Sequence, residues 1–175
     1  MNQELELHAD IIDLLISWGN SFKTETTPEI FALRQYDIEK IINAMSVILA
    51  FGDAKVRFHA VDAIPYLVPN DVVINLLLPY LNDPIPELRW TLCELFHSYR
   101  DSRVVLPLAE LLQNDIDPDV RVVAAEALFA VGDERAIPAL TYATEHDTGK
   151  DYEDRTVADA ARNAIVAIEN RIKSK

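Results

Sequence analysis

Four carboxylates, Asp115, Asp117, Asp119 and Glu126, fall at the first, third, fifth and twelfth places of a calcium-loop spacing. Such a loop converges oxygens on a hard cation, and its sixth place is glycine because the backbone must turn sharply there. Here the sixth place is Val120, and Pro118 stands between the ligand positions. The segment therefore reads as a capped helix start, with its acids at the favourable end of the helix dipole. The single cysteine, Cys93, is the only thiol nucleophile available, but its apolar register reads as that of a buried small hydrophobe. His8, His59, His97 and His146 show no metal-ligand spacing, and four glycines in 175 residues leave little material for phosphate-cradling loops. No catalytic residue, metal site or cofactor site is expected, and the protein reads as non-enzymatic.

Arg57, Arg89 and Arg121 form a second set, each 32 residues from the next. Three copies in one register indicate architecture rather than a binding site. Each guanidinium is expected to meet a carboxylate or carbonyl at a turn, such as that of Asp53, Asp83, Asp115 or Asp117.

The elements that would carry these residues follow from the same period. Counting from Val56, Leu88, Val120 and Val157, apolar residues recur at offsets 4, 7 and 8: Ala60, Ala63 and Ile64; Leu92, Leu95 and Phe96; Ala124, Ala127 and Leu128; Ala161, Ala164 and Ile165. That spacing is one face of an α-helix. A second apolar segment follows each of the first three, as in Val72–Ile74, Val104–Leu106 and Ala136–Ile137. The unit is thus helix, turn, helix, turn. Asp117-Pro118 and Thr27-Pro28-Glu29 supply N-cap and first-turn residues, and Gly132-Asp133 ends one helix and begins the next. Pro79 is deep enough in its segment to predict a kink or an early end. Asp159 and Arg162 fall where earlier copies carry Phe58, Trp90, Val122 and Val61, Cys93, Ala125, so the last helix has a polar stacking face.

The run Asp117–Leu140, with the closing copy Thr156–Ile165, resembles the HEAT repeat, in the short variety named after phycobilisome lyases. The resemblance implies an all-α fold, a right-handed α-α superhelix of antiparallel helix pairs. The expected organisation is one domain: an N-terminal helical cap over 1–50, repeats over 51–82, 83–114 and 115–150, and a C-terminal capping helix over 151–175. The resemblance also implies protein binding on the concave side, where second helices face. A minority of the family attaches bilin chromophores or acts on DNA bases. Tetrapyrrole attachment is therefore the alternative function, although Tyr66, Tyr80, Trp90 and Tyr99 read as core aromatics.

Charge narrows the partner. The net charge is −13, and no basic run occurs before Arg171, Lys173 and Lys175, which disfavours nucleic acid. A basic protein partner is favoured, with inhibitor or immunity-type function as its specific form. Apolar runs are too short to span a membrane, and Glu4, Glu6 and Asp10 stand where a secretory leader would be basic, so a cytoplasmic protein is expected. Candidate partner-binding residues are Asp71, Tyr80, Glu110, Tyr142, Glu145 and Asp147. They derive from the almost wholly apolar Val72–Leu81 segment, the acidic second-helix side and the long Glu145–Asp154 turn. The oligomeric state is not encoded in any of these features.

Overall fold

The computed structural model describes Glu6 and residues 8–21 and 25–174. Parts of the expected N-terminal helical cap over 1–50 lie outside them. Among the described residues the chain is all helical. A single isolated bridge between Lys150 and Thr156 is its one extended pairing. Contacts divide it into two compact units, residues 1–77 and 78–175. The division falls late in the expected first repeat, 51–82, where Pro79 cannot continue an α-helix. The helix ends at Leu77 and Leu78–Asn82 continues as a 3-10 helix.

The first unit holds α1 (Ala9–Gly19), α2 (Pro28–Leu33), α3 (Ile38–Phe51), α4 (Ala54–Leu67) and α5 (Asn70–Leu77). Pro28 opens α2, and Asp53 caps α4 by accepting the Val56 amide at 2.9 Å. Helix α4 packs on each of the other four, so its stripe Val56, Ala60, Ala63 and Ile64 is buried. Pro65 lies in the last turn of α4, where the sequence pattern did not flag a break.

The second unit holds α6 (Pro86–Tyr99), α7 (Val105–Asn114), α8 (Pro118–Val131), α9 (Ile137–His146) and α10 (Val157–Lys173). First helices α6, α8 and α10 pack side by side. Second helices α7 and α9 pack on each other, α7 also on α8 and α9 on α10. All the residues at offsets 0, 4, 7 and 8 in α6, α8 and α10 are buried except Leu95 and Ile165, which are half-buried. Helix α8 is covered on both sides, and its Ala124, Ala125 and Ala127 let the neighbours approach closely. Gly132, at the end of α8, serves the same end: a Cβ there would stand 2.7 Å from Ile168 Cδ1 of α10. Arg100, just past α6, takes the left-handed conformation at φ 53°, a place more often given to glycine. Asp159 and Arg162 of α10 are exposed and paired with each other.

Candidate functional site

The arginine ladder organises the second unit. Arg89, in the first turns of α6, donates through Nη1 to the carbonyl of Asp83 at 2.7 Å. Its Nε and Nη2 grip both oxygens of Asp115, one repeat on, at 2.6 and 2.7 Å. Arg121 repeats the arrangement 32 residues later: Nη1 to the Asp115 carbonyl at 2.8 Å, Nε and Nη2 to Asp147 at 2.7 and 3.0 Å. Each receiving aspartate also accepts the amide two residues ahead, Asp117 for Asp115 and Gly149 for Asp147, which shapes the turn. Asp83 does the same with the Ile85 amide. These bidentate, charge-assisted pairs lie in the protein: the Arg89 and Asp115 side chains are 9% and 2% exposed. Burial alone would push the Asp147 carboxyl upward. The Arg121 guanidinium and the Gly149 amide outweigh it and hold it below the ordinary range.

The ladder includes one candidate of the sequence reading. Asp147 is one of the expected partner-binding residues, and its carboxylate is held by Arg121 and the Gly149 amide. It shapes the floor of a groove. Arg89 and Arg121 take the expected ladder role, and of the turn aspartates named as examples of partners, Asp83 and Asp115 receive them. The 26-residue step from arginine to aspartate is the signal that would have added Asp147.

Two grooves follow the ladder between successive second-helix segments. One, about 490 Å³, is walled by Leu78, Leu81, Pro107, Leu111 and Ile116, with Glu110 and Asn114 at its side and Arg89–Asp115 at its base. The other, about 380 Å³, lies where Gln113 of α7 faces Tyr142, Ala143 and His146 of α9, over Arg121–Asp147. Residues on this face stand in register: Leu78, Glu110 and Tyr142 are each 32 residues apart, as are Asn82, Asn114 and His146. Glu110 is exposed and carries no ion pair among the described residues. Tyr142, 54% exposed, stacks on His146 with ring centroids 4.5 Å apart. Tyr80 is half-buried in the 3-10 turn, and Glu145 is exposed beside His146. Asp71 is exposed at the start of α5, in the other unit. The apolar Val72–Leu81 segment is mostly enclosed: Val73, Ile74, Leu77 and Leu81 are buried.

A family model of HEAT repeats matches residues 74–164, more than half of the chain. The chain belongs to the HEAT-repeat family. The match is to HEAT repeats in general and does not single out the phycobilisome-lyase variety. No curated protein matches the chain. HEAT repeats are generally protein-interaction scaffolds and are typically non-enzymatic. No described helix is long and apolar enough to cross a membrane.

Within the HEAT repeats the carboxylates of the calcium-like spacing each hold another partner. Asp115 receives Arg89, and Asp117 caps α8 through the Asp119 amide at 2.9 Å. Asp119 accepts the Tyr152 amide at 2.9 Å, and Glu126 pairs with Arg155 at 2.6 Å. Burial first, with the like charges of Glu94 and Asp151, pushes Glu126 above the ordinary glutamate value against the pull of Arg155. Cys93 is fully buried on the α6 stacking face, and desolvation drives its thiol far up. With almost no thiolate at neutral pH, Cys93 is expected to resist a colorimetric disulfide reagent in the native protein. It should react only at the rate of unfolding. Fast native labelling would show the α6 face to be open.

The long turn after α9 is an ordered hairpin. Asp151, its side chain 1% exposed, accepts the amides of Glu153 and Arg155 at 2.9 and 2.8 Å and Arg155 Nε at 2.6 Å. The Asp151 amide donates back to the Arg155 carbonyl at 3.0 Å, and Val157 N to the Gly149 carbonyl at 3.1 Å. Residue spacing alone showed the extra length but not this order.

Proposed function

We propose that the chain is a non-enzymatic cytoplasmic binding module that holds a basic partner protein across the second-helix face of its C-terminal unit. Its specific form would be inhibitory, masking the partner as an immunity protein does. The carrying observation is the contrast within one register. The Arg–Asp ladder is the same in successive repeats, whereas the groove-facing series runs Leu78, Glu110, Tyr142, and the asparagine kept at 82 and 114 gives way to His146. A repeated frame keeps its structural residues alike and varies those that recognise a ligand. Apolar walls beside an unpaired carboxylate and an exposed aromatic shelf suit a partner that offers both cationic and apolar side chains. The net charge of −13 would speed the approach of such a partner. Tyr80 and Glu145 belong to this candidate face, and Asp71 is a candidate on charge alone.

The test is capture from lysate of the native source at low and high salt, with the wild-type chain and the double variant Glu110→Lys, Tyr142→Ala. One stoichiometric basic protein should be retained at low salt, released at high salt and bound at least tenfold more weakly by the variant. Both positions are exposed, so the variant should melt as the wild type does. Capture that the variant leaves unchanged would remove the grooves from recognition. A coloured eluate would point instead to tetrapyrrole handling.

A further inference from the structure

Ile116 and Tyr152 are 90% and 74% exposed, more than any other large apolar side chain among the described residues. Both lie on one edge of the C-terminal unit, where second helices turn into first helices. Ile116 occupies the turn before α8. Tyr152 stands at the tip of the hairpin that docks on the start of the same helix, its amide 2.9 Å from Asp119 Oδ1. Gly149 of that hairpin sits close enough to Pro118 that a Cβ on it would be 3.1 Å from the Pro118 Cβ.

Neither side chain rides on a loose loop. Asp115, beside Ile116, is clamped by Arg89, and the Ile116 carbonyl accepts Arg121 Nη1 at 3.3 Å. Asp151, beside Tyr152, is the buried centre of the hairpin. The backbone that displays both anchors is therefore already ordered, so docking would not have to fix it. Around them stand Asp117, Glu153 and Asp154, with the Glu153 and Asp154 side chains 53% and 89% exposed. Lys150 meets Asp154 and Arg155 meets Glu153, each at 3.4 Å at the surface, and the two cations offset part of this charge while Asp117 keeps its own.

An apolar pair on rigid turns inside a rim of carboxylates has the anatomy of an interface centre. We propose that this turn edge is a second docking surface for a basic partner protein, with Ile116 and Tyr152 buried at its centre and Asp117, Glu153 and Asp154 facing lysine or arginine. The inference rests on the proposed role in protein binding but not on the placement of that binding in the grooves.

The test uses short random peptides displayed against the full chain, with enriched peptides then titrated by fluorescence anisotropy. Enriched peptides should be net basic with an apolar or aromatic residue. Because Ile116 also walls the first groove, the deciding variant is Tyr152→Ser with Asp154→Asn, two residues that line neither groove. Peptide affinity should fall tenfold or more for it and twofold or less for Glu110→Lys with Tyr142→Ala. Melting temperatures of both variants should match the wild type, because the substituted side chains point to water. Affinity that follows Glu110 and Tyr142 alone would overturn the edge and leave the groove reading standing. Enriched peptides without basic bias, or no enrichment at all, would also overturn the edge. Capture from the native source would then judge the grooves by themselves.

Discussion

Arg89→Ala is expected to destabilise the C-terminal unit by about 3–5 kcal/mol, because it strands a buried carboxylate. Asp115 would keep the Asp117 amide but lose both guanidinium contacts, at 2.6 and 2.7 Å, with its side chain only 2% exposed. The carbonyl of Asp83 would lose its donor in the same step. In a unit of this size the melting temperature should fall by on the order of 15 °C. Arg103→Ala provides the contrast. Its guanidinium also grips an aspartate, Asp101, but the Arg103 side chain is 40% exposed, and such a pair is worth about 0–1 kcal/mol. Replacing both ladder partners, Arg89→Met with Asp115→Leu, should recover part of the loss, since no charge is then left buried. Thermal melts of the four proteins decide the matter. An Arg89→Ala effect no larger than that of Arg103→Ala would mean the ladder is decoration on a fold held by apolar packing alone.

Asp151→Ala should have the next largest effect, and a local one. The substitution removes the acceptor of two amides and of Arg155 Nε, three part-buried hydrogen bonds, for a loss of about 2–3 kcal/mol. Hydrogen exchange should rise across residues 149–157 while α6 to α9 keep their protection. Uniform protection would show that the hairpin is held from elsewhere. Acid should reproduce the effect in a defined order. Glu126 is held above 4.5 and so protonates first, which removes one of the partners of Arg155. Because its folded pKa is raised, the ionised group costs stability, and its own contribution is complete only below that ordinary value. Burial would raise Asp151, yet the Arg155 amide and guanidinium hold it below 3.8, and Asp147 is likewise held low by Arg121. For these two, the stabilisation is fully present above 3.8 and disappears as pH falls through the lowered values. The hairpin should therefore open below pH 3.8 rather than near neutrality.

What the sequence made legible was whatever repeats. The apolar positions at offsets 0, 4, 7 and 8 need only a period to be found, and burial follows from it except at Leu95 and Ile165. Pro79 ended its helix for a reason local to the backbone. The ladder arginines were visible because they recur, and Asp115 could be named as a partner because it lies at a turn. Asp147 could not be separated from surface acids in the same way. Its partner, Arg121, is 26 residues away, and only the fold shows that both oxygens are occupied. The hairpin was legible as extra length alone, because its order comes from Asp119 and Glu126 in a distant segment and from the burial of Asp151 within it. Ile116 and Tyr152 were missed because composition does not show exposure: an isoleucine between two aspartates reads the same whether buried or bare.

The proposed partner lies along the second-helix face of the C-terminal unit. The most direct test is hydrogen exchange of the full chain, free and bound to the basic protein it captures. Added protection is expected over α7 and α9, around Glu110, Asn114, Tyr142 and His146, with the ladder turns following. Protection confined to the opposite groove of α6, α8 and α10, lined by Glu94, His97, Glu126 and Phe129, would contradict the account.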